Sequence, residues 1–104
     1  MAGAPAVDGK GLPEIDRLIH EPSRLSIMAN LYVIDSADFV FLLNRTDMTN
    51  GNLSSHMSRL TGAGYVEERK EFVGRKPRTM YKLTDAGRKA FEGYREAMLT
   101  ALEG

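Results

Sequence analysis

Cysteine is absent from the 104-residue chain. That excludes a disulfide scaffold, a thiol nucleophile and thiolate metal sites, and it fits a reducing cytosol. Long apolar runs are absent too, since no stretch approaches the ~20 residues of a membrane span. No charged N-terminal segment leads into an apolar one, so neither a membrane partner nor a secretory leader is expected, and a cytoplasmic location is. Nor is there an excess of either charge: 14 basic residues meet 14 acidic ones. Nucleic-acid binders usually carry a basic excess, so the total points away from that class. What the chain does have is 42% hydrophobic residues. That is too apolar for a disordered chain and enough for one modest core, and the length predicts a single domain.

The neutral total hides an uneven distribution. From Met1 to Met48 the bases Lys10, Arg17, Arg24 and Arg45 face seven acids, a balance of −3. From Thr49 to Lys82 seven bases face only Glu67, Glu68 and Glu71, a balance of +4. From Leu83 onward the balance is −1. A basic middle third is a statement about partners rather than about fold.

Residues 1–12, rich in Ala, Gly and Pro, show no periodicity and read as an arm, leaving 13–104 as the domain. Pro13 suits a first helical position, with Ile15, Leu18 and Ile19 on one face, until Pro22 breaks or restarts the helix. From Ser23 onward Leu25, Met28 and Tyr32 form one stripe and Ile27, Leu31 and Ile34 another, which predicts a central helix. Ser36 is the expected cap of a short helix through Asn44, with Phe39, Leu42 and Leu43 inward. After a turn at Arg45–Met48, Thr49 or Asn50 caps a third helix to about Thr61, buried along Leu53, Met57 and Leu60. Gly62-Ala63-Gly64 stops it.

The period then changes. Tyr65–Val73 and Thr79–Leu83 alternate as strands around a loop, Gly74-Arg75-Lys76-Pro77-Arg78, which predicts a β-hairpin with a basic tip. Thr84 caps a long last helix with an apolar stripe of Phe91, Tyr94, Met98 and Leu102. The fold class is mostly α with a small β-hairpin, in the order helix, helix, helix, strand, strand, helix.

With Leu53, Met57 and Leu60 inward, a turn of 100° per residue leaves Asn52, Ser55, His56, Ser58 and Arg59 on the other faces. All can hydrogen-bond, none is acidic, and no carboxylate occurs from Thr49 through Val66. An ordinary solvated helix mixes Glu and Lys. A surface that approaches phosphate must do without the Glu, and Asn, Ser and Arg suit base edges. Arg75, Lys76 and Arg78 on the hairpin would project cations toward a backbone or a minor groove. Competing readings are a polar surface helix that happens to lack acids, and an edge hairpin protected by charge. The two cationic elements together favour duplex DNA.

Catalysis finds little support. His20 lies beside Glu21 and Pro22 with no orienting spacing, and His56 stands alone on its helix. The two histidines lack metal-ligand spacing, so no metal is expected. Asp85, Glu92 and Glu96 fit a solvated helix surface, and Gly62-x-Gly64 lacks the third glycine of a dinucleotide loop. No enzyme and no cofactor are expected.

Thr49-Asn50-Gly51-Asn52-Leu53-Ser54-Ser55-His56-Met57, Leu60 and Ala63-Gly64-Tyr65-Val66 resemble the recognition-helix stretch of small winged helix-turn-helix regulators of bacteria and archaea. Phe72-Val73-Gly74-Arg75-Lys76-Pro77-Arg78-Thr79, Tyr81-Lys82-Leu83-Thr84 and Ala86-Gly87-Arg88 are similar to that family's wing and the start of its last helix. Ile19-His20-Glu21-Pro22, with Arg24-Leu25 and Ile27-Met28, matches as well. The resemblance, to MarR- and ArsR-like transcriptional regulators, spans about Ile15 to Leu102. It implies a third helix in the major groove, with Asn50, Asn52, Ser54, Ser55, His56, Ser58 and Arg59 as recognition residues. Arg75, Lys76 and Arg78 become wing contacts. Two departures stand out: Asn50 replaces an expected Asp, and the metal-sensing Cys of the ArsR type is missing.

The resemblance also implies a homodimer through the terminal helices, burying Ile15, Leu18 and Ile19 with Phe91, Tyr94, Met98 and Leu102. Two-fold symmetry then predicts an inverted-repeat operator. Two other functions stay open: a protein-interaction module with a basic wing, and a small-molecule sensor near Tyr32, Phe39 and Phe91. No segment resembles a separate ligand domain, and no effector is specified.

Overall fold

A computed structural model describes residues 15–103. The arm expected over residues 1–12 and the helix start at Pro13 lie outside the described residues.

The first helix, α1 (Pro22–Val33), starts where local chemistry favours it. Glu21 Oε1 accepts from the Arg24 amide at 2.8 Å, and Pro22 fills the first helical position, which needs no amide hydrogen. The helix expected to pass through Ile15, Leu18 and Ile19 is not formed there; Arg17–Ile19 is a turn. Asp16 Oδ1 accepts from the amides of Leu18 (2.9 Å) and Ile19 (3.2 Å), a local bond that competes with helix. Both predicted stripes of α1 reach the interior, through Met28 on one and Ile27 and Leu31 on the other.

A two-residue strand, β1 (Ala37–Asp38), follows and precedes α2 (Phe39–Thr46). The cap of α2 is Asp38, whose Oδ1 accepts from the Phe41 amide at 2.7 Å, and not Ser36. Pairing of Ala37 with Tyr81 and of Asp38 with Met80 holds residues 37–38 extended, so the helix cannot start earlier. At its other end α2 continues to Thr46, and Asp47 turns the chain in the left-handed region at φ 56°.

Helix α3 (Asn50–Gly62) buries Leu53, Met57 and Leu60 as predicted. The hairpin that follows, β2 (Val66–Val73) and β3 (Lys76–Leu83), is longer and its turn tighter than expected. Val73 pairs with Lys76, leaving only Gly74 and Arg75 in the turn. Gly74 has φ 64° and Arg75 has no positive φ, the pattern of a type II′ turn that matches strand twist. Lys76, Pro77 and Arg78 are therefore strand residues. The pair closing a two-residue turn is the hydrogen-bonded one, so the next, Phe72 with Pro77, is not. Proline's missing donor costs no ladder bond there.

The sheet order is β1-β3-β2, all antiparallel. Helix α4 (Asp85–Glu103) closes the fold, capped by Thr84 Oγ1, which accepts from the Gly87 amide at 2.9 Å. Ile19, Ile27, Met28, Leu31, Leu42, Leu53, Met57 and Leu60 are fully buried at the centre. Each such side chain contributes about 1.5–3 kcal/mol from burial. This core fixes α3 and the base of the hairpin on one body.

Candidate nucleic-acid interface

The residues of α3 are positioned from both ends and from beneath. Thr49 Oγ1 accepts from the Asn52 amide at 3.1 Å, satisfying one donor of the first turn. Leu53, Met57 and Leu60, each at most 1% exposed, lock the rotation of the helix. That rotation turns Ser55 and Ser58 directly away from the core, flanked by Asn52 and Arg59 on one side and Ser54 on the other. All five are exposed, as is Asn50 in the first turn.

His56 differs from its neighbours. It is half-buried, and its Nδ1 lies 3.2 Å from Nη1 of Arg24 on α1. Arg24 also donates through Nε to the Leu18 carbonyl. One guanidinium thus ties the turn before α1 to the middle of α3. Arg24 escaped the sequence reading because its partner is 32 residues away, and no local pattern marks such a contact. The other histidine, His20, places Nδ1 2.8 Å from the hydroxyl of Tyr94.

The hairpin cations divide into two kinds. Arg78 faces Glu71 across the strands and donates to Oε2 from both Nη2 (2.8 Å) and Nε (3.2 Å). Arg69 Nη2 reaches Glu71 Oε1 at 3.4 Å. These bonds, Arg78 first, hold the Glu71 carboxyl below the ordinary carboxylate range. Arg75 and Lys76 are exposed, and among the described residues neither forms an ion pair. Arg69, Lys70 and Lys82 add exposed cations that the sequence reading did not include in the site.

The expected dimer residues also divide. Ile19 (0% exposed) and Tyr94 (7%) belong to the protomer's own core, where a second copy cannot cover them. Ile15, Leu18, Phe91 and Met98 pack partly buried against that core. Leu102 is 78% exposed, and its neighbour one turn back, Leu99, is exposed as well. At the alternative sensor position Tyr32 is already partnered. It lies 4.9 Å from the Phe91 ring, donates to Glu92 Oε2 at 2.8 Å, and carries the Arg88 guanidinium over its face. Phe39 lines a cleft of about 380 Å³ between the start of α2 and the outer hairpin. Among the described residues no three His, Asp or Glu side chains converge as a metal site, and no helix is long and apolar enough to cross a membrane.

Three comparisons bear on this arrangement. A family model for the winged helix DNA-binding domain matches residues 23–102. An uncharacterised protein of Methanocaldococcus jannaschii is 32% identical over 78 residues, covering 75% of this chain and 85% of that protein. A transcriptional regulator homologue from Pyrococcus horikoshii superposes with a TM-score of 0.80 at 29% identity, over 86% of this chain and 88% of that one. The fold is shared more distantly with reduced AbfR bound to DNA (TM-score 0.66, 18% identity, 73% of this chain and 54% of that one). The four helices, the three-stranded antiparallel sheet and the match from residue 23 to residue 102 agree: this chain belongs to the winged helix DNA-binding domain family.

Proposed function

We propose that the protein is a homodimeric, sequence-specific transcriptional regulator that binds double-stranded DNA. Helix α3 enters the major groove and the hairpin wing lies on the backbone or in the minor groove. The observation that carries this reading is the exposed, acid-free surface of α3 together with the exposed Arg75 and Lys76 at the wing tip, unpaired among the described residues. Arg59, Asn52 and the serines are suited to base edges and phosphates, and the N-terminus of α3 to a phosphate. His56 acts from the border of that face, held by Arg24. The dimer forms through the exposed C-terminal part of α4, at Leu99 and Leu102, beside Met98, Phe91, Leu18 and Ile15.

Selection of bound sites from a random duplex pool tests the reading. An inverted repeat with half-sites ~34–36 Å apart, or a multiple of that, is the expected outcome. Arg59→Ala should cost ~1–3 kcal/mol and relax preference at one base pair. Equal loss on selected and random DNA would remove Arg59 from the reading set. No binding to any duplex at low salt would overturn the proposal and direct the basic wing to an acidic protein instead.

A further inference from the structure

The outer hairpin carries an aromatic side chain that the fold does not use. On the inner face of the sheet, Val66, Tyr81 and Leu83 are buried against the helices. Toward the tip that face leaves the body: Lys70 is exposed, Phe72 is 72% exposed, and its cross-strand partner Pro77 is exposed as well. A phenylalanine held in water near an open strand edge invites association and needs an occupant.

The surroundings say which occupant fits. From Phe72 to Thr84 the chain has no acidic residue. Among the described residues Arg75 and Lys76 stand unpaired at the turn beside Phe72, while Arg78 on the opposite face is held by Glu71. Lys70 shares the face of Phe72, with Glu68 further from the tip. The partner is therefore polyanionic yet offers an apolar surface between its charges. Duplex DNA does so in its minor groove, where sugar rings and base edges lie between two phosphate rails. A second copy of this chain fits less well, because like charges would meet. The exposed leucines of α4 are set instead among Glu96 and Glu103 as well as Arg95.

We propose that Phe72, backed by Pro77, is an apolar wedge that seats its ring on sugars or a base step in the minor groove while Arg75 and Lys76 hold the flanking phosphates. The inference rests on the DNA-binding reading above and adds a selectivity to it. A wedge discriminates by the ease of unstacking a step, so sites with a flexible pyrimidine–purine step under the wing bind best.

The chain contains no tryptophan, so Phe72→Trp places a lone tryptophan at the wedge, excited at a wavelength the four tyrosines do not absorb. Saturating duplex carrying the selected site should quench its emission and shield it from an aqueous quencher. Phe72→Ala should lose about tenfold or more in affinity for that duplex with an unchanged salt slope. Its melting temperature should stay that of the parent, because the ring is mostly exposed. Unchanged tryptophan emission on a duplex that fluorescence anisotropy shows to be bound would overturn the wedge and leave DNA binding standing. Emission that depends on protein concentration without DNA would overturn it in favour of a second copy. If the parent protein binds no duplex at low salt, the underlying reading falls and the wedge with it.

Discussion

Nη1 of Arg24 lies 3.2 Å from Nδ1 of His56, and because a guanidinium only donates, that ring nitrogen is the acceptor. An Nδ1 that accepts leaves the ring hydrogen on Nε2. His56 offers a donor, not an acceptor, to whatever α3 meets. Arg24→Ala should free the ring and loosen the turn at Leu18, costing about 1–2 kcal/mol. Urea unfolding checks the cost, and nitrogen NMR of the ring checks the tautomer. Identical His56 ring shifts in parent and variant would show that Arg24 does not set it.

A second long-range pair governs behaviour in alkali. The Tyr65 hydroxyl donates to Asp16 Oδ2, and that bond, with burial and the Asp16 charge, pushes the Tyr65 pKa up to about 12. A tyrosine whose folded value is raised stabilises the protein fully below its unfolded value near 10 and loses that contribution as pH climbs through about 12. Tyr65→Phe should cost about 1 kcal/mol at neutral pH. The difference from the parent should shrink between about pH 10 and 12. Comparing the two proteins is necessary because Tyr32, Tyr81 and Tyr94 are raised as well, Tyr32 chiefly by its bond to Glu92 and the other two chiefly by burial. Denaturant unfolding across that range measures it; a constant difference would exclude the linkage.

Two glycines of α4 should respond in opposite directions. A methyl at Gly87 would overlap the Tyr65 carbonyl oxygen and lie 2.8 Å from its carbon, and that same oxygen accepts from the Thr84 amide at 3.1 Å. Gly87→Ala should destabilise by about 1–3 kcal/mol in spite of alanine's better helix propensity. At Gly93 nothing lies within 4 Å of the added methyl. Gly93→Ala should stabilise by about 0.5–1 kcal/mol. Thermal unfolding of both variants decides the matter, and equal shifts would contradict the close approach.

The wing cations should not count equally in DNA binding. Glu71 screens Arg78, whereas Arg75 stands at the turn without an acidic partner among the described residues. Arg75→Ala should flatten the salt dependence on random duplex by roughly one unit, and Arg78→Ala by less. Glu71→Gln should steepen it by releasing Arg78 and Arg69. Equal slopes for the two arginine variants would show that the ion pair opens on DNA.

Oligomerisation should depend on the end of α4. Leu99→Glu with Leu102→Glu should yield monomers in sedimentation while each surface change moves protomer stability by no more than about 0.5 kcal/mol. A parent protein already monomeric at micromolar concentration would remove the dimer from the proposal.

Local rules made most of the fold legible. Pro22, Thr49 and Thr84 mark helix starts by chemistry that acts within three residues, and the stripe Leu53, Met57, Leu60 states its own period. Two local readings were overruled at longer range. Ser36 lost the cap of α2 to Asp38 because residues 37–38 pair with Met80 and Tyr81. Lys76, Pro77 and Arg78 became strand because Val73 pairs with Lys76 and closes the turn at two residues. At Ile15–Ile19 the period suggested helix, and the nearby Asp16 carboxylate formed a turn instead.

The candidate site divides along the same line. Sequence by itself determined where acids are missing, and hence that a neutral chain carries a basic helix-and-hairpin unit, because charge is a property of each residue wherever it lies. Only the tertiary structure decided which of those charges remain available. Strand pairing brings Glu71 onto Arg78, packing brings Arg24 to His56, and the core takes Ile19 and Tyr94 away from any partner. Each of these depends on distance between residues far apart in the chain, which composition and period do not encode.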